Sequence, residues 1–478
     1  MKKLNQSSLV LQLLKILLLA VVSSGLVQIA CFRGSERTEA DKKAARLEPS
    51  FETIKNLGLT QEKAYDYLKI ITSVGGRLTG SPEAEKAVEL AVRLMEEAGA
   101  DRVWTEPVRV RRWVRGSQET ALVRSRKFSE QKLQIAALGN SPGTSEAGLQ
   151  AKVVEVQSFE ELVELKNLVK DRIVFFNVPM DRTLTDSFLA YGRAAQFRVR
   201  GASEAARYGA RAVLVRSMTF RVDDYPHTGL ITYDETLPII PAVALSTADA
   251  ERLHTWLQED PELEIFIKLD CQFLGEITSA NVIGELRGQL KPEEVILVGG
   301  HLDSWDLGSG AHDDAAGCAV AIEVLRLIKE AGLKPDRTVR AVLFMDEEFG
   351  GTGGRAYARH ENRKKEKHLV ALEQDRGGFV PIGLAIGGGQ KMLKKLRTIQ
   401  PYLQALGIHW IKPGGGGVDV APLAEQGVIT GSLIPDSQKY FDFHHSALDL
   451  PEAVHPRELE LQAVVLAMVV YFLAQKGV

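Results

Sequence analysis

The stretch EVILVGGHLDSWDLGSGAHDDAAGCAVAIEVLRLIKEA, residues 294–331, decides the fold. It opens with Glu294 to Gly299, a nearly unbroken apolar run of the kind a strand shows when both its faces are buried. It closes with Ala315 to Ala331, where Cys318, Ile322, Leu325 and Ile328 recur at helical intervals. Between the two come Gly300-His301-Leu302-Asp303 and His312-Asp313-Asp314, imidazoles and carboxylates crowded into a strand-to-helix junction. Outward from there, Val339 to Met345, Leu369 to Leu372 and Val428 to Leu433 repeat the apolar pattern with loops and helices between them. That alternation predicts an α/β fold: a mixed, mainly parallel central sheet with helices on both faces.

In open α/β sheets, ligands collect outside the carboxyl ends of the strands. The second run ends in Asp346-Glu347-Glu348, the third in Glu373-Gln374-Asp375, and the fourth is followed by Asp442, His444 and His445. Each motif has a bland reading by itself, such as a surface His–Asp pair or an Asp-Asp helix cap. Four strand ends that all carry acids and imidazoles are another matter. Carboxylates converging in one crevice repel, and divalent cations remove that cost. Mixed imidazole and carboxylate donors suit zinc, and the absence of thiolates argues against a structural zinc knot. A carboxylate can bridge two ions, which together supply hydroxide near neutral pH, while a further carboxylate off the metal serves as general base.

The rest of the chain frames this region. With 478 residues, two domains are expected after any targeting segment, and a formal charge of −3 supplies no field for nucleic acid. Lys2 and Lys3, the apolar run Leu9 to Val22, then Ser23-Ser24-Gly25 follow the order of a secretory signal, placed at residues 1–30. Gln12 and Lys15 interrupt the run, which makes it a poor permanent span. Cys31 after Ile29-Ala30 resembles the end of a bacterial lipoprotein signal, although Gln28 stands where that motif prefers leucine. An exported protein is expected: secreted, periplasmic or envelope-anchored. It would touch a membrane only through a lipid on Cys31 or an uncleaved signal. Residues 31–50 read as a tether.

Ser81-Pro82 looks like a helix start and Val103 to Val114 like a strand. Residues 131–262 differ in character, with short β-like runs at Lys152–Val156, Arg172–Phe176 and Ala212–Val215 and one helix-like segment, Ala202–Tyr208. They predict a compact α/β or β-rich insert that divides a main domain of residues 51–130 and 263–478. None of the insert's polar residues clusters with ligand spacing, so spacing assigns it no chemistry. Cys318, on an apolar helix face, reads as a buried thiol.

From about Phe51 onward these motifs resemble the di-zinc aminopeptidase and glutamate carboxypeptidase family, peptidase family M28, and within it the plasma glutamate carboxypeptidase (carboxypeptidase Q) subgroup. The resemblance is most specific in Gly300–Gly317, Asp346–Gly353 and Phe443–Asp449. It implies two zinc ions, with His301 and Asp375 on one, Glu348 and His445 on the other, and Asp313 as the bridge. It also implies Glu347 as general base and Asp303 as the acid that orients His301. In the family the bridging aspartate lies four residues before a glycine, which selects Asp313 over Asp314 through Gly317. An acid four residues after the second histidine, Asp449, selects His445 over His444. Leu450, His312 and Phe349 stand at places where relatives vary.

The resemblance further implies an exopeptidase acting on short peptides or dipeptides by a metal-bound hydroxide, and a homodimer. It makes the insert similar to a protease-associated domain, and the Gly414–Gly417 loop similar to one that lines the cleft. A receptor module on the same fold would have lost ligands, and a glutaminyl cyclase would work with one zinc. The full donor set disfavours both.

Overall fold

A computed structural model describes residues 47–478. The expected signal segment, Cys31 and the tether as far as residue 46 lie outside the described residues. Ser81 caps α1 (Pro82–Glu97), its hydroxyl accepting from Ala84 N at 3.0 Å, and Pro82 takes the first position, where a missing N–H costs nothing. Ala84, Ala87, Val88, Ala91, Leu94 and Met95 form its buried stripe.

The chain lays down β1 (Arg102–Val114), leaves for a second sheet, and returns. The second sheet takes β2 (Glu119–Arg124), β3 (Gln131–Leu133), β4 (Ile135–Ala137), β5 (Leu149–Val156), β6 (Ile173–Phe176), β7 (Ala212–Arg216), β8 (Ala242–Leu245) and β9 (Glu264–Leu269). Their order is β3-β2-β9-β5-β6-β7-β8-β4. Its strands thus begin before residue 131 and end after residue 262. The run β5-β6-β7-β8 is parallel, and β6 to β8 are buried throughout. Between strands lie α2 (Ser187–Val199) and α3 (Thr247–Glu259). Helix α2 is not legible in the sequence, because its apolar residues lie on two sides: Ala190, Ala194 and Phe197 are buried, while Phe188 and Tyr191 stack on Tyr440 and Phe441.

On its return the chain builds β10 (Gln272–Leu286), β11 (Lys291–His301), α4 (Ala316–Glu330), β12 (Arg337–Phe344), β13 (Lys367–Glu373), β14 (Pro381–Ile386), β15 (Trp410–Pro413), β16 (Ile429–Pro435) and α5 (Pro456–Lys476). The central sheet has the order β1-β10-β12-β11-β13-β16-β14-β15. Strand β11 runs parallel to β12 and β13, and β13 parallel to β16, whereas β1–β10, β10–β12 and β14–β16 are antiparallel. The fold is the mixed α/β sheet expected. One face, with Leu297, Val342, Phe344 and Ala371, packs on Tyr357 and Ala358 of the helix Thr352–Arg359. Helices α4 and α5 pack against β11 and β12. By length and composition α5 could cross a membrane, yet 83% of its apolar window is buried inside the protein, so it is a core helix here. Both sheets belong to one compact unit, Pro49–Val478.

Candidate metal centre

Strands β12, β11, β13 and β16 are neighbours in the sheet, so the chain segments leaving their carboxyl ends converge. His301 is the last residue of β11. Its Nδ1 lies 3.0 Å from the Asp303 carbonyl, which must accept a proton from it, leaving the Nε2 lone pair free. That Nε2 lies 3.2 Å from Asp313 Oδ1 and 3.6 Å from Asp375 Oδ1. Asp313 sits in the turn Ala311–Ala315 before α4, at φ −124° and ψ 85°, and leaves helical geometry there. The Asp449 carboxylate fixes that turn by accepting from His312 N at 2.7 Å and Asp313 N at 3.1 Å. The other Asp313 oxygen, Oδ2, faces His445 Nε2 at 3.2 Å, and Glu348 Oε2 lies 3.0 Å from the same nitrogen.

The loop after β12 is held by one carboxylate. Asp303 accepts from Asp346 N at 2.8 Å, Glu347 N at 3.1 Å and Glu348 N at 3.2 Å. Its carboxyl oxygen stands 3.8 Å from His301 Nδ1, too far for a hydrogen bond. The main chain of Asp303 thus orients the imidazole while its side chain orients the acids. Two residues near the donors adopt positive φ, Asp346 at 77° and His445 at 60°, a backbone region that non-glycine residues enter at a cost.

The inserted segment also reaches this centre, which spacing alone did not reveal. Thr228 O lies 3.1 Å from His445 Nδ1, Thr228 N donates to His445 O at 3.0 Å, and His227 Nδ1 donates to His444 O at 2.7 Å. Thr228 therefore sets the His445 tautomer; Arg198 Nη1, at 3.5 Å from the same Nδ1, is too distant to reverse it. Phe441 stacks on Tyr191 of α2 with centroids 4.6 Å apart, which seats the whole histidine-bearing segment. The only trace in the sequence was His227-Thr228-Gly229 in an aperiodic stretch, and nothing there names a partner.

Other strand-end candidates have different work. Asp306 pairs with Arg115, and Asp314 accepts from His301 N and Gly317 N. His312 stacks on Phe379 with both ring nitrogens hydrogen-bonded to main chain, and burial pushes it down to about 4. His444 stands beside the donor set: its Nε2 lies 3.6 Å from Asp313 Oδ2, and its ring stacks on His445 at 3.5 Å between centroids. Burial and the neighbouring His445 hold it well below the usual imidazole range, and no carbonyl among the described residues orients its ring. Cys318 is a buried free thiol that donates to His301 O at 3.0 Å.

Burial would depress His301 and His445, yet Asp313 and Asp375 around the first, and Glu348 and Asp313 around the second, hold both well above the ordinary range. Burial raises Glu347 and Glu348. Asp313, despite its burial, is held well below the carboxylate range by His301 and His445. Such a set awaits positive charge. Among its buried atoms His301 Nε2, Asp313 Oδ2, Glu348 Oε1 and Asp375 Oδ1 have no hydrogen-bond partner, and His301, Asp313 and Asp375 could together hold a metal ion, as could Asp313, His444 and His445. Nitrogen and oxygen donors in this mixture fit zinc.

Comparison with known proteins points the same way. Residues 281–470 match the profile described as Peptidase family M28. Human carboxypeptidase Q is 35% identical over 418 residues, covering 87% of this chain and 86% of that protein. The crystal structure of a peptidase M28 precursor from Shewanella amazonensis SB2B superposes with a TM-score of 0.85 at 33% identity, over 91% of this chain and 98% of that one. A Bacillus subtilis zinc aminopeptidase shares the fold at 21% identity and a TM-score of 0.63, over 87% of this chain and 95% of that one. With a carboxypeptidase Q that matches over most of both chains, and the strand-end acids and imidazoles assembled within the matched region, this chain belongs to peptidase family M28.

Proposed function

We propose that the chain is a zinc-dependent exopeptidase of short peptides, with two zinc ions held by five side chains. The Asp313 carboxylate carries this reading: one oxygen faces His301 and Asp375 converges beside it, while the other faces His445 with Glu348 alongside. His301 and Asp375 would hold one ion, His445 and Glu348 the other, and Asp313 both. Bound zinc would supply a Lewis acid for the scissile carbonyl and acidify water to a pKa of about 7.

The remaining work falls to the chain's own groups. Glu347 takes a proton from the attacking water on its carboxylate and returns it to the departing amine nitrogen. Burial, together with Asp375 and Glu348, raises its carboxyl well above the usual range. Asp303 positions Glu347 through the Glu347 N–H. Phe188, Tyr191, Tyr440 and Phe441 wall the cleft in front of these acids and exclude water. The cleft measures about 370 Å³, at the small end of the range for ligand pockets (~300–1,000 Å³), and so favours short peptides. The relative's name, carboxypeptidase Q, agrees with a peptide substrate. The signal-like pattern from Lys2 to Gly25 supports an exported protein.

Replacing Glu347 tests the assignment. Glu347→Gln should retain two equivalents of zinc by metal analysis and lose turnover by ~10²–10⁴-fold. Near-normal turnover in the zinc-loaded variant, or full activity after exhaustive chelation, would overturn it.

A further inference from the structure

A second cavity adjoins the metal cleft. It measures about 770 Å³ against the cleft's 370 Å³, and Leu230 and Gly350 line both. It opens between the inserted segment, at Asn140 to Gly143 and Leu230 to Tyr233, and the end of the β1–β10 ribbon. Gly350, at φ 123°, has only empty space where a Cβ would stand, so no side chain bars the passage at that point. Phe349 divides the two spaces. Its ring packs on Trp113 at 6.2 Å and on Trp305 at 5.1 Å between centroids, and Trp305 donates to Glu348 Oε2 at 2.5 Å.

The inner wall of this cavity is apolar, with Trp113, Ile231, Cys271 and Phe349 buried in it. Burial pushes the Cys271 thiol up to about 11, so it carries no charge at neutral pH. The polar groups of the wall are already engaged. Trp113 Nε1 donates to the Ser141 carbonyl at 2.9 Å, and Ser141 Oγ accepts from Ala242 N at 3.0 Å. The Asn140 amide donates to Ile231 O at 3.0 Å and the Tyr233 hydroxyl to Ile240 O at 2.6 Å. Where the metal cleft leaves donor atoms without partners, no buried side-chain nitrogen or oxygen of this cavity lacks one. Its charged groups, Arg111 and Glu235, are exposed at the rim, where Arg111 lies over the Phe273 ring at 4.9 Å. Such a wall offers no partner to a charge and favours an apolar group that leaves water.

We propose that this cavity is a specificity subsite that takes a bulky apolar side chain, that of the residue following the cleaved bond. This rests on the peptidase reading above. The turn that carries Glu347 also frames the passage, since Gly350 N donates to Glu347 O at 2.9 Å. Glu347 returns its proton to the departing amine, so the departing residue lies on the Glu347 side of the bond. Its side chain enters between Leu230 and Gly350. An aromatic or branched aliphatic group there is removed from water, whereas a carboxylate or ammonium loses its hydration and gains no partner.

The test compares zinc-loaded parent protein, Leu230→Trp, which narrows the passage, and Ile239→Trp on four dipeptides. Ile239 is 57% exposed on the cavity rim, so tryptophan there fills the space without a change to the core. The substrates are alanylalanine, alanylphenylalanine, alanylglutamate and phenylalanylalanine. The parent should favour alanylphenylalanine over alanylalanine and alanylglutamate by about tenfold or more in kcat/KM. In both variants that ratio should shrink to about threefold or less. A preference that follows the first residue instead, an equal rate on alanylglutamate, or a ratio that neither variant moves would overturn the proposal. So would a parallel fall on all four substrates, which would make these side chains part of the cleft's framework. Calorimetric binding of the same dipeptides to zinc-loaded Glu347→Gln protein, with and without Ile239→Trp, reads the subsite without turnover. If the parent cleaves nothing, the peptidase reading fails, and this binding arm still decides whether the cavity selects an apolar side chain.

Discussion

Asp303 divides its labour between main chain and side chain, and that division can be measured. Its carbonyl fixes the proton on His301, while its carboxylate gathers the N–H groups of Asp346, Glu347 and Glu348. Asp303→Asn keeps the carbonyl but replaces one acceptor oxygen with an amide donor pointing into that nest. It should retain zinc at the His301 side while kcat falls by about 10- to 100-fold, because Glu347 loses its position. Metal content and kcat measured on one preparation check this. Loss of metal in step with activity would return the carboxylate to the role of orienting the imidazole. At this scale the sequence reading named the acids and imidazoles at strand ends, which are legible in order alone. It could not separate main-chain from side-chain contacts, which depend on a few ångströms of loop path.

At the scale of elements, the junction from β11 to α4 was legible because an apolar run, a cluster of donors and a helical stripe follow each other without interruption. What α4 packs against was not legible. Glu323 on α4 and Glu460 on α5 are both fully buried, and Glu323 is also bound by Arg326 at 2.7 Å. Burial, then the Glu323 charge, pushes Glu460 up from 4.5 to about 9, and the protonated carboxyl donates to Glu323. The unfolded chain releases this proton near its ordinary value and the folded chain only near 9, so stability falls as pH rises through that interval and is lowest above it. Glu460→Gln keeps a donor for Glu323 and an acceptor for Ala64 N, which the carboxyl holds at 3.0 Å, and removes the titration. Its Tm should therefore vary less than that of the parent between about pH 5 and pH 9 and exceed it at the alkaline end. Scanning calorimetry across that range gives the answer, and parallel profiles would contradict it.

Across the whole molecule, the second sheet contributes directly to the metal centre. Thr228 and His227 grip the His444–His445 turn from the insert, whereas His301 depends on its own strand end. Burial pushes His227 down to about 4, so it acts at neutral pH as an uncharged donor. In His227→Ala, the His445 side should release its ion at about tenfold lower chelator than in the parent, while the His301 side holds, which makes a chelator titration biphasic. A single unshifted phase would mean that the insert only covers the cleft. This dependence was invisible in the sequence, because 217 residues separate His227 from His444 and neither segment has a period that betrays the other. The second sheet left a trace in the sequence, since the short β-like runs at 152–156, 172–176 and 212–215 stand where β5, β6 and β7 lie.

Helix α5 is made only after every strand of both sheets, yet it fills the interior against α4, β11 and β12. A chain that stops short of residue 456 would leave β11 and β12 with α4 alone on that side, and the apolar groove between α4 and the sheet open to water.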